Sequence, residues 1–175
     1  MYRTIFAAAF LLPAPLAAED FSGSYEIIGT AELQVDGAAV TLQSLHDRDR
    51  DRSYNDLTES GGFTVYAFTA AAPQEDGSAG RPYLTLMIGP FGSAPGGEVD
   101  VEYRAADGTD YFANSDSGTT GTLSDLVIAD GRISFDFEAP SLIALETTAD
   151  WDYVPVEGVA PIAVSGRYSG QLPTE

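Results

Sequence analysis

Asp47, Asp49 and Asp51 stand at alternate positions in the run His46-Asp47-Arg48-Asp49-Arg50-Asp51-Arg52. This is the spacing with which a helix-flanked calcium loop offers its first three oxygen ligands. The match ends there, because Arg52 stands where such a loop needs glycine and Thr58 where it needs a bidentate glutamate. The interleaved arginines also compete with a cation for the carboxylates. The three aspartates are the candidate metal ligands, with calcium as the ion, set against a solvated and self-neutralising loop.

Two further places could hold a ligand. Asn114-Ser115-Asp116-Ser117-Gly118-Thr119-Thr120-Gly121 follows Asp110-Tyr111-Phe112. Its oxygen-rich side chains suit a cation or sugar hydroxyls, and Tyr111 or Phe112 could supply a stacking face; Asp116 is the contact expected there. Any polar loop has the same composition. Trp151, the only tryptophan, is flanked by Asp150, Asp152 and Tyr153. An exposed indole beside carboxylates makes a sugar platform, whereas a buried one would be a core residue.

Covalent and acid–base chemistry finds few carriers. The chain has no cysteine, no lysine and one histidine, His46. Thiolate sites, disulfides, Schiff bases, phosphate loops of the Gly-Lys type and zinc sites with two or three histidines are excluded. No Gly-x-Ser-x-Gly elbow is present for a serine nucleophile. Paired carboxylates, as in glycoside hydrolysis, are the one open mechanism, and with 27 acidic residues a close pair carries no information. No cofactor is expected.

These residues must be carried by strands. Val99, Val101 and Tyr103 alternate with Asp100, Glu102 and Arg104, and Ile133, Phe135 and Phe137 alternate with Ser134, Asp136 and Glu138. Ile162, Val164, Tyr168 and Leu172 carry the pattern to the C-terminus. A period of two buries one face of a strand, while a helix would wrap both sets around its cylinder. Asp36-Gly37, Asp107-Gly108 and Asp130-Gly131 each lie between strand-like runs and predict type I′ hairpins. Further strands are expected near Ser24 to Ile28, Phe63 to Thr69, Tyr83 to Ile88 and Leu142 to Thr147. Ser141 to Ala149 is the one helix candidate. His46 to Gly62 and Ala71 to Arg81 read as long connections, and Pro90 to Gly97 as irregular. The expectation is a single all-β domain, an antiparallel β-sandwich or flattened barrel of about nine or ten strands.

The first 18 residues read as a signal peptide: Arg3, the apolar run Ile5 to Leu12, then Leu16-Ala17-Ala18 before Glu19-Asp20. Residues 19–175 would then form one acidic domain, periplasmic or secreted. Loss of Arg3 leaves seven arginines against 27 acids, a net charge of −20. Such a charge repels nucleic acid and favours cations or basic partners, and it also keeps a protein soluble in salt. No transmembrane helix is expected, since no later run approaches the ~20 apolar residues required. The sequence thus points to a non-enzymatic binding module for a cation, a glycan or an envelope protein. A small outer-membrane barrel and a carboxylate-based hydrolase are the alternatives.

Overall fold

The computed structural model describes residues 20–60, 63–89 and 97–173. They form strands β1 (Tyr25–Val35), β2 (Ala38–Asp47), β3 (Arg52–Ser53), β4 (Asn55–Ser60), β5 (Phe63–Pro73), β6 (Ala79–Ile88), β7 (Glu98–Arg104), β8 (Asp110–Ala113), β9 (Gly121–Ala129), β10 (Arg132–Thr147), β11 (Tyr153–Pro155) and β12 (Ile162–Gln171). No described residue is helical, and no described helix is long and apolar enough to cross a membrane. The expected signal peptide and most of the irregular stretch from Pro90 lie outside the described residues.

Every pairing is antiparallel, and the strands form a ring. The order β2-β1-β12-β10-β8-β7-β6-β5 closes where Gln43 of β2 meets Ala71 of β5. β9 shares with β8 the gap between β7 and β10. The all-β expectation holds as one antiparallel sheet of 12 strands in a ring.

The alternation read from the sequence decides which residues fill the ring. Ile133, Phe135, Phe137 and Ala139 of β10 are buried, and the rings of Phe68, Phe135 and Tyr168 meet at centroid distances of 4.9 to 5.7 Å. Each such side chain contributes roughly 1.5–3 kcal/mol by leaving water. The outward neighbours are charged: Glu32, Arg167 and Asp136 lie in register across β1, β12 and β10, and Arg167 Nη1 reaches Asp136 Oδ1 at 3.0 Å.

The alternation changes phase at Pro140. Ala139 is buried, then Leu142 and Ala144, because the β10–β12 register shifts between Ala139 and Leu142. Proline lacks the N–H that a ladder needs and so sits at a bulge. The same shift hides the period in Ser141 to Ala149, whose residues to Thr147 are strand, not helix.

The three Asp-Gly hairpins form. Asp36 and Gly37 have φ of 47° and 80°, and Asp130 and Gly131 have 52° and 70°, as type I′ turns require. At Asp107-Gly108 only Gly108 is left-handed, at 99°, and Ala105 N–H donates to Thr109 O at 2.8 Å across a longer turn.

Two expected connections are shorter than the sequence suggested. Ala71 to Arg81 reduces to the turn 74–78 between β5 and β6. His46 to Gly62 contains β3 and β4, which fill the wedge where β2 and β5 part. Tyr54 bridges that wedge: its N–H donates to Leu45 O at 2.8 Å, and its carbonyl accepts from Thr69 N–H at 3.1 Å. For β4, Ser53 Oγ of β3 accepts the Asn55 N–H and Asp56 Oδ1 the Leu57 N–H. Side chains thus satisfy two N–H groups of an edge strand.

Candidate ligand-binding groove

The aspartates of the arginine-rich run do not converge. Asp47 is buried, and its Oδ1 accepts the N–H groups of Asp49 and Arg50 at 3.0 and 3.1 Å while its Oδ2 takes Arg50 Nη1 at 3.0 Å. Burial acts to raise its pKa, but the hydrogen bonds and charge of Arg50 outweigh that and hold it below the usual carboxylate range. Asp49 accepts Ser24 Oγ at 2.7 Å. Asp51 has φ of 48°, is 98% exposed and lies 3.6 Å from His46 Nε2. Among the described residues no group of three or more His, Asp or Glu side chains could hold a metal ion.

Asp116 sits in the turn between β8 and β9, where Asn114 Oδ1 accepts the N–H groups of Asp116 and Ser117 at 3.1 and 3.0 Å. Its charge is felt at β7: burial lifts Asp100 above the usual range, and Glu98 and Asp116 add to the shift. Asp116 and Trp151 therefore belong to different turns.

Trp151 is where the structure is most unusual. It lies in the turn 148–152 that joins β10 to β11 and is 85% exposed. Thr148 closes the turn: its N–H donates to Asp152 O at 2.8 Å, its carbonyl accepts Trp151 N–H at 3.1 Å, and its Oγ1 accepts Asp152 N–H at 3.2 Å. To fit, Trp151 adopts φ of 67°, a left-handed conformation that costs a bulky L-residue roughly 1–2 kcal/mol. The chain thus bears both backbone strain and a large ring in water at one position.

The residues on either side of this turn, Thr147 and Tyr153, are paired across β10 and β11 and both line a groove of about 580 Å³. That volume is in the range of small-ligand sites, about 300–1,000 Å³. Phe112 of β8 and the half-exposed Tyr153 form its aromatic wall, with Val156 and Val159 beside them. Its polar lining includes Arg104, Asp107, Asp110 and Glu146. Arg104 is held by Glu102, lies 4.0 Å from Asp110 Oδ2 and stacks over Tyr83 at 5.1 Å; Asp110 Oδ1 is 2.6 Å from Arg81 Nη2. The Thr109 N–H that Asp107 accepts holds that carboxyl below its ordinary range, so it is ionised at neutral pH.

Of the sequence candidates, Phe112 and Tyr153 meet in this groove, and Trp151 lies in the adjoining turn, two residues from Tyr153. Glu146 and Asp107 were not singled out from the sequence. Glu146 sits at a strand end whose phase the Pro140 bulge has shifted, and Asp107 in its Asp-Gly pair signals only a turn. No protein-family model, no curated protein and no solved structure matches this chain.

Proposed function

We propose that the chain is an exported, non-enzymatic binding module whose ligand is a glycan, taken up at the groove beside Trp151. One observation carries the reading: the only tryptophan is held exposed and strained in the turn joining two residues of an aromatic-walled groove. Strain of this kind persists where surrounding structure enforces it, and it clusters at ligand sites. A pyranose presents apolar C–H faces to aromatic rings and hydroxyls to carboxylates, and the groove offers Tyr153 and Phe112 for the first, Asp107 and Glu146 for the second. Binding rather than turnover fits a chain without cysteine or lysine and with its single histidine on the β2 side, at the end of a different set of strands.

The membrane-barrel alternative fares worse on polarity. A lipid-spanning barrel turns apolar residues outward and keeps a polar lumen. Here Phe68, Phe135 and Tyr168 fill the interior, and Glu32, Asp136 and Arg167 face out.

Electrophoresis of the purified protein through gels containing neutral, amino or acidic polysaccharides tests the proposal. Retardation by at least one, lost in Trp151→Ala, is the expected result. Unchanged mobility in all three would overturn it.

A further inference from the structure

The groove's charge goes beyond glycan binding in general to a class of glycan. Among the described residues that line it the one cation, Arg104, is already engaged by Glu102 and Asp110. Asp110 is in turn shared with Arg81. Among the described residues neither Asp107 nor Glu146 is in an ion pair: Asp107 has one carboxylate oxygen on the Thr109 N–H and feels the Arg81 charge only at longer range, and Glu146 is exposed. Asp150 and Asp152 flank Trp151 in the adjoining turn, both exposed. A ligand lying along Tyr153 therefore meets an excess of carboxylates, while the guanidiniums nearby, Arg104 and Arg81, are already engaged by Glu102 and Asp110. A uronate or sulfated sugar would bring like charge into this field, which costs binding, whereas an ammonium on the ring gains from it.

Resting on the glycan reading above, we infer that the groove selects glycans bearing free amino groups, of the glucosamine type, over their N-acetylated and uronic-acid counterparts. The aromatic wall takes the sugar face, and Glu146 with Asp107 takes the ammonium.

Calorimetric titration of the purified protein with four probes tests this: a glucosamine hexamer, the same hexamer fully N-acetylated, a hexauronate and hexalysine. The glucosamine hexamer should bind at least about tenfold more tightly than the acetylated one at low salt, a preference worth about 1.4 kcal/mol. Salt near 1 M, where screening acts within about 3 Å, should shrink the preference, and Glu146→Gln should do so at low salt. Equal affinity for the two hexamers, or tighter uronate binding, overturns the charge selection and leaves the glycan reading standing. Hexalysine binding as tightly as the glucosamine hexamer overturns it too, because bulk attraction to an acidic protein would then explain the result. No heat with any of the three glycans overturns both.

Discussion

The rings of Phe112 and Tyr153 meet with centroids 5.8 Å apart and planes tilted by 55°. Phe112 is buried in β8, part of the ring of strands, while Tyr153 opens β11 and is 47% exposed. The contact ties the Trp151 turn to the barrel wall, so the platform is borne by a fixed element. Tyr153→Ala should weaken glycan binding about tenfold, an aromatic contact being worth about 0.5–1.5 kcal/mol beyond its area, and Tyr153→Phe should retain most of it. Titrations of the two variants side by side check this; equal losses would instead assign the effect to the hydroxyl.

Trp151→Gly separates stability from binding. Glycine relieves the φ of 67° without giving up a buried contact, since the indole is exposed. Urea unfolding should show stability unchanged or raised by up to about 1 kcal/mol, with glycan binding lost. A marked loss of stability would mean that the indole packs against the fold.

Tyr168 is the polar centre of the interior. Its hydroxyl lies 3.0 Å from Asn55 Oδ1 and 3.1 Å from Ser44 Oγ, which share its one proton as acceptors; Asn55 Nδ2 donates to Gln171 O at 2.9 Å, and Ser44 Oγ to Thr69 O at 2.6 Å. The network joins β12, β2, β4 and β5 where the ring closes. Asn55→Ala should cost about 1–3 kcal/mol in urea unfolding, because the buried phenol loses one of its two acceptors and the Gln171 carbonyl loses its side-chain donor. A cost near zero would show that water takes its place.

The same hydroxyl packs against the paired glycines Gly29 and Gly170. A Cβ at Gly170 would overlap the Tyr168 hydroxyl and come within 2.9 Å of its Cζ; one at Gly29 would lie 2.6 Å from the hydroxyl. Gly170→Ala should destabilise by about 1–3 kcal/mol. Part of that loss should return in Gly170→Ala with Tyr168→Phe, which removes the overlapping atom, so the two changes will be non-additive.

Burial raises the Tyr168 phenol above its ordinary value, and does the same at Tyr54, Tyr83 and Tyr103. The unfolded chain then releases these protons first, so stability is fully present below the unfolded pKa of about 10 and falls as pH rises through it. Thermal melts between about pH 8 and pH 11 should show that decline, and Tyr168→Phe should flatten it. A wild-type melt unchanged over the range would contradict the burial of these phenols.

The strands and hairpins were legible because inward hydrocarbon and outward charge alternate in runs such as Ile133 to Glu138, and Asp-Gly marks their ends. Ring closure was not, since it rests on the single pairing of Gln43 with Ala71, which leaves no local signature. β3 and β4 were hidden by the charge of the Arg48–Arg52 run, although Asn55 anchors the segment inside the barrel. Asp47 looked like a ligand because spacing alone does not reveal that a carboxylate caps its own turn. Trp151 was visible as a candidate, but its exposure and its left-handed backbone belong to the turn closed by Thr148.

Trp151 is the chain's only tryptophan, so intrinsic indole fluorescence reads the proposed site alone. The free protein should emit as a water-exposed indole, and titration with a glycan that retards it in gels should shift the emission saturably to shorter wavelength. A spectrum unmoved while that glycan binds would contradict the central claim and move the binding site away from this groove.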